Sequence, residues 1–309
     1  DLRKKISELY ARRYKLDINP ERVIVTSGSS AAFILAFTTF FDAGDSILIG
    51  EPGYPSYKNI LKALGLAPII HKTSFDDRYN LTKANIETSD ANGVLVASPA
   101  NPTGQRLLQS EFEDLIFAAK QKNMTFISDE IYHGLSFIDK DRCALEFDDN
   151  SLIINSFSKY YSMTGWRVGW MIVPESYVRT IERLAQNLFI CPSNAGQFLA
   201  LQSIDHVKYF ERHRARYKKN RETLLEALPK IGFSQILPPD GAFYLYADIK
   251  KFKLNSKEFV KKLLIDTGVA ITPGTDFDTA RGSDTVRFSF SCSESDAVDA
   301  MERLYEWTK

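Results

Sequence analysis

The sequence has few cysteines, no long apolar run and no excess of charge of either sign. Three cysteines are scattered over 309 residues, at Cys143, Cys191 and Cys292. This spacing predicts no disulfide framework and favours a reducing, cytoplasmic compartment. No apolar stretch reaches the roughly 20 residues that span a bilayer. Lys and Arg together number 39, as do Asp and Glu, so nothing favours a nucleic acid or an anionic membrane as partner. The four histidines have no metal-like neighbours in the sequence, and no metal site is predicted.

The remaining composition is that of an ordinary globular protein. Hydrophobic residues make up 44% and charged residues 25% of the chain, which is enough for a large core and predicts two domains. Residues 206 to 228 have the pattern of one long charged helix that leads into the second domain, with Pro229 among the residues expected to break it. We therefore predict a large domain over residues 1–205 and a smaller one over residues 206–309.

One stretch, SFSKYYSMTGWRVGW from Ser156 to Trp170, follows the apolar run 152–154, which predicts a buried strand. Lys159 thus lies just past a strand end, where a dry environment lets an amine lose its proton and attack a carbonyl. Ser156, Ser158 and Arg167 are suitable donors to a phosphate. An amine beside a phosphate cradle is what pyridoxal 5′-phosphate requires. The alternative is a surface lysine with chance serines, which the combined spacing disfavours.

Three loops after predicted strands carry further candidates. Gly28, Ser29 and Ser30 in TSGSSAA begin a predicted helix, whose free N–H groups suit an anion, although a serine N-cap would use the same residues. Tyr54 in EPGYPSY could stack on a flat ring or pack beneath a loop. Asn101 in SPANPTG could donate to a ring oxygen or form an Asx turn that caps the next helix. The Asn101–Pro102 bond is a candidate for cis.

Two more strand-associated groups complete the set. Asp129 ends a buried strand, where a carboxylate is costly unless paired. A pyridinium N–H is a suitable partner, and Tyr132 could reach the same ring's phenolic oxygen. The alternative for Asp129 is a helix cap. Arg287 lies in an alternating strand, TVRFSFS, and could hold a carboxylate with two parallel hydrogen bonds. The alternative is an exposed edge arginine, and the pattern alone favours it.

The order of these pieces resembles the class I/II aminotransferases, the fold-type I enzymes that use pyridoxal 5′-phosphate. The matching segments span residues 26 to 291 and are TSGSSAA, EPGYPSY, SPANPTGQ, SDEIYHG, INSFSKYYSMTGWRVGW, PPDGAFY, ITPGTDF and TVRFSFS. The resemblance implies an α/β fold: a three-layer α/β/α sandwich around a mostly parallel seven-stranded mixed sheet with one antiparallel strand. It also implies a smaller α+β C-terminal domain and a site at a homodimer interface.

The resemblance also implies a role for each candidate. Lys159 would be the Schiff-base lysine and general base, and Asp129 the partner of the pyridine nitrogen. Asn101 and Tyr132 would bind the phenolic oxygen, Tyr54 would stack on the ring, and Arg287 would take the substrate α-carboxylate. The implied phosphate contacts are Gly28, Ser29, Ser30, Ser156, Ser158 and Arg167. The implied reaction is a ping-pong transfer of an amino group between an L-amino acid and a 2-oxo acid.

Two features depart from the pattern. Members of this family usually carry several tens of residues before the helix that begins here, and that segment supplies part of the substrate pocket. We therefore expect the pocket of this chain to be incomplete. Asp278 stands where a glycine is common. Two alternative functions stay open: another reaction on the same fold, either C–S lysis or decarboxylation, and the effector domain of a transcription regulator.

Overall fold

The computed structural model describes all of residues 1–309. Its centre is a seven-stranded sheet with the order β1-β7-β6-β5-β4-β2-β3. The strands are β1 Val23–Thr26, β2 Ser46–Glu51, β3 Ala67–Lys72, β4 Gly93–Ala97, β5 Thr125–Asp129, β6 Leu152–Ser156 and β7 Gly169–Ile172. Only β7 runs antiparallel to its neighbours, β1 and β6. This confirms the expected mixed, mostly parallel sheet.

The central strands are apolar on both faces because helices cover both sides of the sheet. Alternate residues of a strand point to opposite faces, and the core divides accordingly. Ile153 belongs to the larger cluster, packed with α1 and α5, whereas Ile154 belongs to the other, packed with α2, α3 and α6. These helices are α1 Leu2–Tyr14, α2 Gly28–Phe40, α3 Pro55–Ala63, α4 Lys83–Glu87, α5 Gln109–Gln121, α6 Val178–Leu188 and α7 Asn194–Ser203. The result is the predicted three-layer sandwich.

A second, antiparallel sheet of three strands has the order β8-β10-β9. It encloses a separate core cluster with three helices. Its elements are α8 Val207–Ile231, β8 Tyr244–Asp248, α9 Ser256–Thr267, β9 Thr272–Pro273, β10 Thr285–Ser289 and α10 Glu294–Trp307. The boundary at residues 205 and 206 stays a prediction.

Three details of this second unit differ from the sequence-based expectation. Helix α8 continues through Pro229 to Ile231, because Leu224, Leu228 and Ile231 are buried in the core at helical spacing. Strand β8 begins at residue 244 rather than 241, and the short strand predicted at residues 269–271 lies instead at 272–273.

The carboxyl ends of β2, β4, β5 and β6 lie at one edge of the large sheet, since these strands are parallel. This arrangement brings together the loops that follow them, which hold most of the candidate residues. All three cysteines are free, as predicted. None of the helices combines the length and apolarity needed to cross a membrane.

Candidate active site

The start of α2 and the segment after β6 form a cradle of hydrogen-bond donors. Helix α2 begins at Gly28, and its N-cap residue, Ser27, makes no side-chain capping bond. Neither Ser29 nor Ser30 is therefore the N-cap. Gly28 has a φ of +74°, and a Cβ there would lie 2.5 Å from Arg167 Nη2. The guanidinium thus lies beside the positive end of the helix, and together they form a site that favours an anion.

Two serine hydroxyls lie at the end of β6 and just beyond it. The Ser156 hydroxyl lies 2.9 Å from the Ser158 hydroxyl and 3.1 Å from the Val168 carbonyl oxygen. It also accepts from the Ser158 N–H at 3.0 Å. Both residues are buried. Close packing of Gly169 in β7 against Gly28 and Ser29 holds this segment beside α2, since a Cβ on Gly169 would lie 2.9 Å from Ser29 N.

Asp129 ends β5 as a buried carboxylate that is 3% exposed. It accepts from the Tyr57 hydroxyl and, at 3.1 Å, from the Ile131 N–H. Burial raises the pKa of Asp129 to about 6, although these hydrogen bonds and the Lys159 charge lower it in part. No helix follows Asp129, so the helix-cap alternative does not hold. The carboxylate is held ready for a positive partner.

Lys159 lies near two aromatic rings and feels the charge of Asp129. Its Nζ is 5.8 Å from the centre of the Tyr132 ring and 5.9 Å from that of Phe243. Burial lowers the pKa of Lys159, Asp129 raises it, and the positive charges of Arg287 and Arg167 lower it further. An amine with a lowered pKa is the form that can accept a proton or attack a carbonyl.

Asn101 and Arg287 meet although 186 residues separate them. Arg287 Nη1 donates to Asn101 Oδ1 at 2.9 Å, and Nη2 donates to Thr272 Oγ1 at 3.1 Å. Asn101 does not cap α5, which begins at Gln109. The Asn101–Pro102 bond is cis, as predicted. Arg287 is half-buried and not an exposed edge residue, and its Nε is buried without a partner.

These geometries agree with comparisons to known proteins. The family model for aminotransferase class I and II matches residues 1–304. A valine–pyruvate aminotransferase from Mycobacterium tuberculosis is 41% identical, over 99% of this chain and 81% of its own length.

This chain belongs to the class I and II aminotransferases.

Solved structures extend the likeness. An aminotransferase from M. tuberculosis superposes with a TM-score of 0.97 at 41% identity, covering 99% of this chain and 81% of that one. An aspartate aminotransferase from Thermus thermophilus gives 0.92 at 27% identity, covering 99% and 81%. The chain is therefore a transferase enzyme with an aspartate aminotransferase-like fold. The family generally depends on pyridoxal 5′-phosphate.

The residues of this aminotransferase fit that cofactor. Its phosphate needs several donors, and the uncapped start of α2 with Arg167 above it supplies them. Its protonated ring nitrogen needs an anionic acceptor, and Asp129 is a buried carboxylate with no cation bonded to it. Its aldehyde needs an amine, and Lys159 is the lysine whose pKa is lowered, by burial and by the charges of Arg287 and Arg167.

Two of the predicted contact residues are exposed, and two residues of the cluster were missed. Tyr54 is 38% exposed, packs against the edge of Tyr57 with ring centres 5.4 Å apart, and lines the same cavity as Asn101. Ser30 is exposed. The missed residues are Tyr57, which bonds Asp129, and Tyr244, which bonds Tyr132. The YPSY spacing, which places Tyr57 in the first turn of α3 three residues after Tyr54, was a signal for Tyr57. No local signal marked Tyr244.

Proposed function

We propose that this enzyme transfers an amino group between an L-amino acid and a 2-oxo acid, using pyridoxal 5′-phosphate in two ping-pong half-reactions. The observation that carries the proposal is the environment of Lys159. Its Nζ lies near the Tyr132 and Phe243 rings, burial lowers its pKa, and the charges of the buried carboxylate Asp129 and the half-buried Arg287 act on it. A base for the Cα proton, an anionic acceptor for the ring N–H and a cation for the substrate carboxylate are the three groups that transamination needs.

The cofactor would be held at five points. The N-terminal N–H groups of α2, Gly28 to Ser30, with Arg167, Ser156 and Ser158, would bind its phosphate. Asp129 would bind the ring nitrogen, and Asn101 and Tyr132 the phenolic oxygen. Tyr54, at the rim, would cover the ring. Lys159 would attach the cofactor covalently through its amine.

When bound, the cofactor supplies an electron sink for negative charge at the substrate Cα and carries the amino group between the two half-reactions. Asp129 keeps the ring nitrogen protonated because a carboxylate buried in this way is stabilised by a cationic partner. Lys159 removes the Cα proton and returns it, and its lowered pKa leaves a larger share of the amine free to do so.

Arg287 positions the substrate by its α-carboxylate. Two of its nitrogens already bond Asn101 and Thr272, so the guanidinium is fixed before substrate arrives. Its buried, unpartnered Nε and the second hydrogens of Nη1 and Nη2 remain to donate. A fixed, planar set of donors selects a carboxylate. It would hold the substrate so that Lys159 can reach the Cα proton.

The proposal includes a homodimer in the cytoplasm. Five large apolar side chains between residues 166 and 199 are exposed, and the contact with a second subunit would cover them: Trp166, Leu188, Ile190, Phe198 and Leu199. The three free cysteines support a reducing compartment. Light scattering of the purified protein tests the dimer, and a monomer at all concentrations contradicts it.

The reaction is tested by the absorbance spectrum of the protein loaded with pyridoxal 5′-phosphate. We expect the visible band to bleach with some amino acids and to return when a 2-oxo acid is added. Valine with pyruvate comes first in the panel, because a relative is named for that pair, followed by aspartate, alanine and phenylalanine. Release of ammonia and pyruvate would instead assign a lyase, release of carbon dioxide a decarboxylase, and a band that never bleaches a binding function.

A further inference from the structure

Tyr244, the first residue of β8, has two different neighbours in the site. It is 6% exposed. Its hydroxyl accepts from the Tyr132 hydroxyl at 3.0 Å, and its ring centre lies 4.3 Å from Arg287 Cζ. The strand register explains the second contact. Arg287 is directly opposite Tyr246, and Tyr244, two residues earlier on the same face, is its diagonal neighbour.

The guanidinium of Arg287 lies over two aromatic rings. The second is Phe277, whose ring centre is 4.7 Å from Arg287 Cζ. A cation over a ring face is attracted by the ring's quadrupole, and the attraction is strongest where water is excluded. The Tyr244 ring therefore fixes the plane in which Arg287 presents its remaining donors.

The hydroxyl of Tyr244 acts on a different residue. A tyrosine hydroxyl has one hydrogen to donate and can also accept. When Tyr132 donates its hydrogen to another oxygen, Tyr244 can donate back to Tyr132 across the same 3.0 Å. Hydrogen bonds in such a chain strengthen one another. Tyr244 thus makes Tyr132 a better donor towards an anionic oxygen.

We propose that Tyr244 is a positioning residue that serves both ends of the site: its hydroxyl strengthens the donor Tyr132, and its ring holds Arg287 for the substrate carboxylate. This role rests on the proposed aminotransferase function. Tyr244 itself touches neither reacting atom. Because the two effects come from different parts of one side chain, separate substitutions can divide them.

The test uses the cofactor-loaded enzyme and three variants. Tyr244→Phe removes the hydroxyl and keeps the ring, whereas Tyr244→Leu removes both. Tyr246→Phe is the matched control: it also removes one buried hydroxyl from β8, but that hydroxyl bonds Thr285. The readouts are the pH midpoint of the visible absorption band and the separate values of kcat and KM for the amino acid.

For Tyr244→Phe we expect the pH midpoint of the visible band to rise by about half a unit. Without the Tyr244 hydroxyl, Tyr132 is a weaker donor and stabilises the deprotonated form of the bound cofactor less. KM should change by less than about twofold, because the ring face remains. Tyr244→Leu should show the same pH shift and a KM raised about tenfold, from loss of the contact with Arg287. Tyr246→Phe should leave the pH midpoint and KM as in the wild type.

A Tyr244→Phe enzyme that titrates like Tyr246→Phe would overturn the hydroxyl's role, and this comparison stands even if Tyr244→Leu does not fold. A folded Tyr244→Leu enzyme that loses kcat with KM unchanged would overturn the ring's role. In both cases the wild type still transaminates, so the proposed function survives. A wild type that forms no visible band or reacts with no amino acid would overturn the proposed function and, with it, the role of Tyr244.

Discussion

Replacing Asp129 by asparagine is expected to stabilise the cofactor-free protein above pH 6. The carboxylate is buried, and burial raises its pKa from an ordinary 3.8 to about 6. Asparagine has the same shape and no charge. It can keep the bond from the Ile131 N–H, and its amide can donate to the Tyr57 hydroxyl, which now donates to the carboxylate.

The size of the effect follows from the two pKa values. A rise from 3.8 to about 6 corresponds to about 3 kcal/mol of folding free energy, since one unit is worth about 1.4 kcal/mol. The folded pKa is raised, so the folded protein binds the proton more tightly than the unfolded chain. Wild-type stability is therefore complete below pH 3.8 and falls as the pH rises through 6.

The assay is unfolding of cofactor-free wild type and Asp129→Asn protein at pH 4, 6 and 8. The variant should gain less than about 1 kcal/mol at pH 4 and about 3 kcal/mol at pH 8. Asp76→Asn, which removes an exposed carboxylate, controls for the change in net charge. A gain that does not vary with pH, or a loss of stability at pH 8, would refute the reasoning. The same variant should bind pyridoxal 5′-phosphate more weakly.

Two further predictions concern the cradle and the lysine. Gly28→Ala should weaken cofactor affinity about tenfold or more, because its methyl group would lie 2.5 Å from Arg167 Nη2 and displace a charged donor. Gly44→Ala has the same left-handed strain with no atom within 4 Å, and equal weakening there in a cofactor titration would contradict the steric argument. Lys159→Ala should slow the first half-reaction at least about 100-fold in single-turnover measurements. Lys62→Ala, which removes an exposed lysine, should leave that rate unchanged. A Lys159→Ala enzyme that reacts as fast as the wild type would contradict the role of Lys159 as the base.

The large sheet was predictable because its strands are short apolar runs that end in small or polar residues. Burial on both faces leaves little choice of element for Leu152, Ile153 and Ile154. The smaller unit was harder. Val269 and Ile271 pack against its core without pairing to a strand, because β10 pairs with Thr272 and Pro273 instead. Apolarity reports burial, and it does not report which backbone lies alongside.

Pro229 is a second case in which a local sequence signal did not predict the observed element. Proline removes one helical hydrogen bond, here the one to the Leu225 carbonyl, and this predicts a helix end. Helix α8 nevertheless continues for two more residues and ends at Ile231, where Gly232, with a φ of 116°, is the C-cap residue. Burial of Leu228 and Ile231 contributes more than one lost hydrogen bond costs. Tertiary packing therefore decided the end of this helix.

In the active site, too, the residues at strand ends were predictable from the sequence, whereas the residues that pack against them were not. Lys159 and Asp129 were predictable because a charged group at or just after the end of a buried strand is costly unless it has a partner. Their energetic state was not, since it depends on residues far away in the chain. Tyr57 is 72 residues from Asp129, and Tyr244 is 112 residues from Tyr132. Residue types at strand ends therefore predict the chemistry, whereas the partners that the fold brings to them set the pKa values and orientations on which its rate depends.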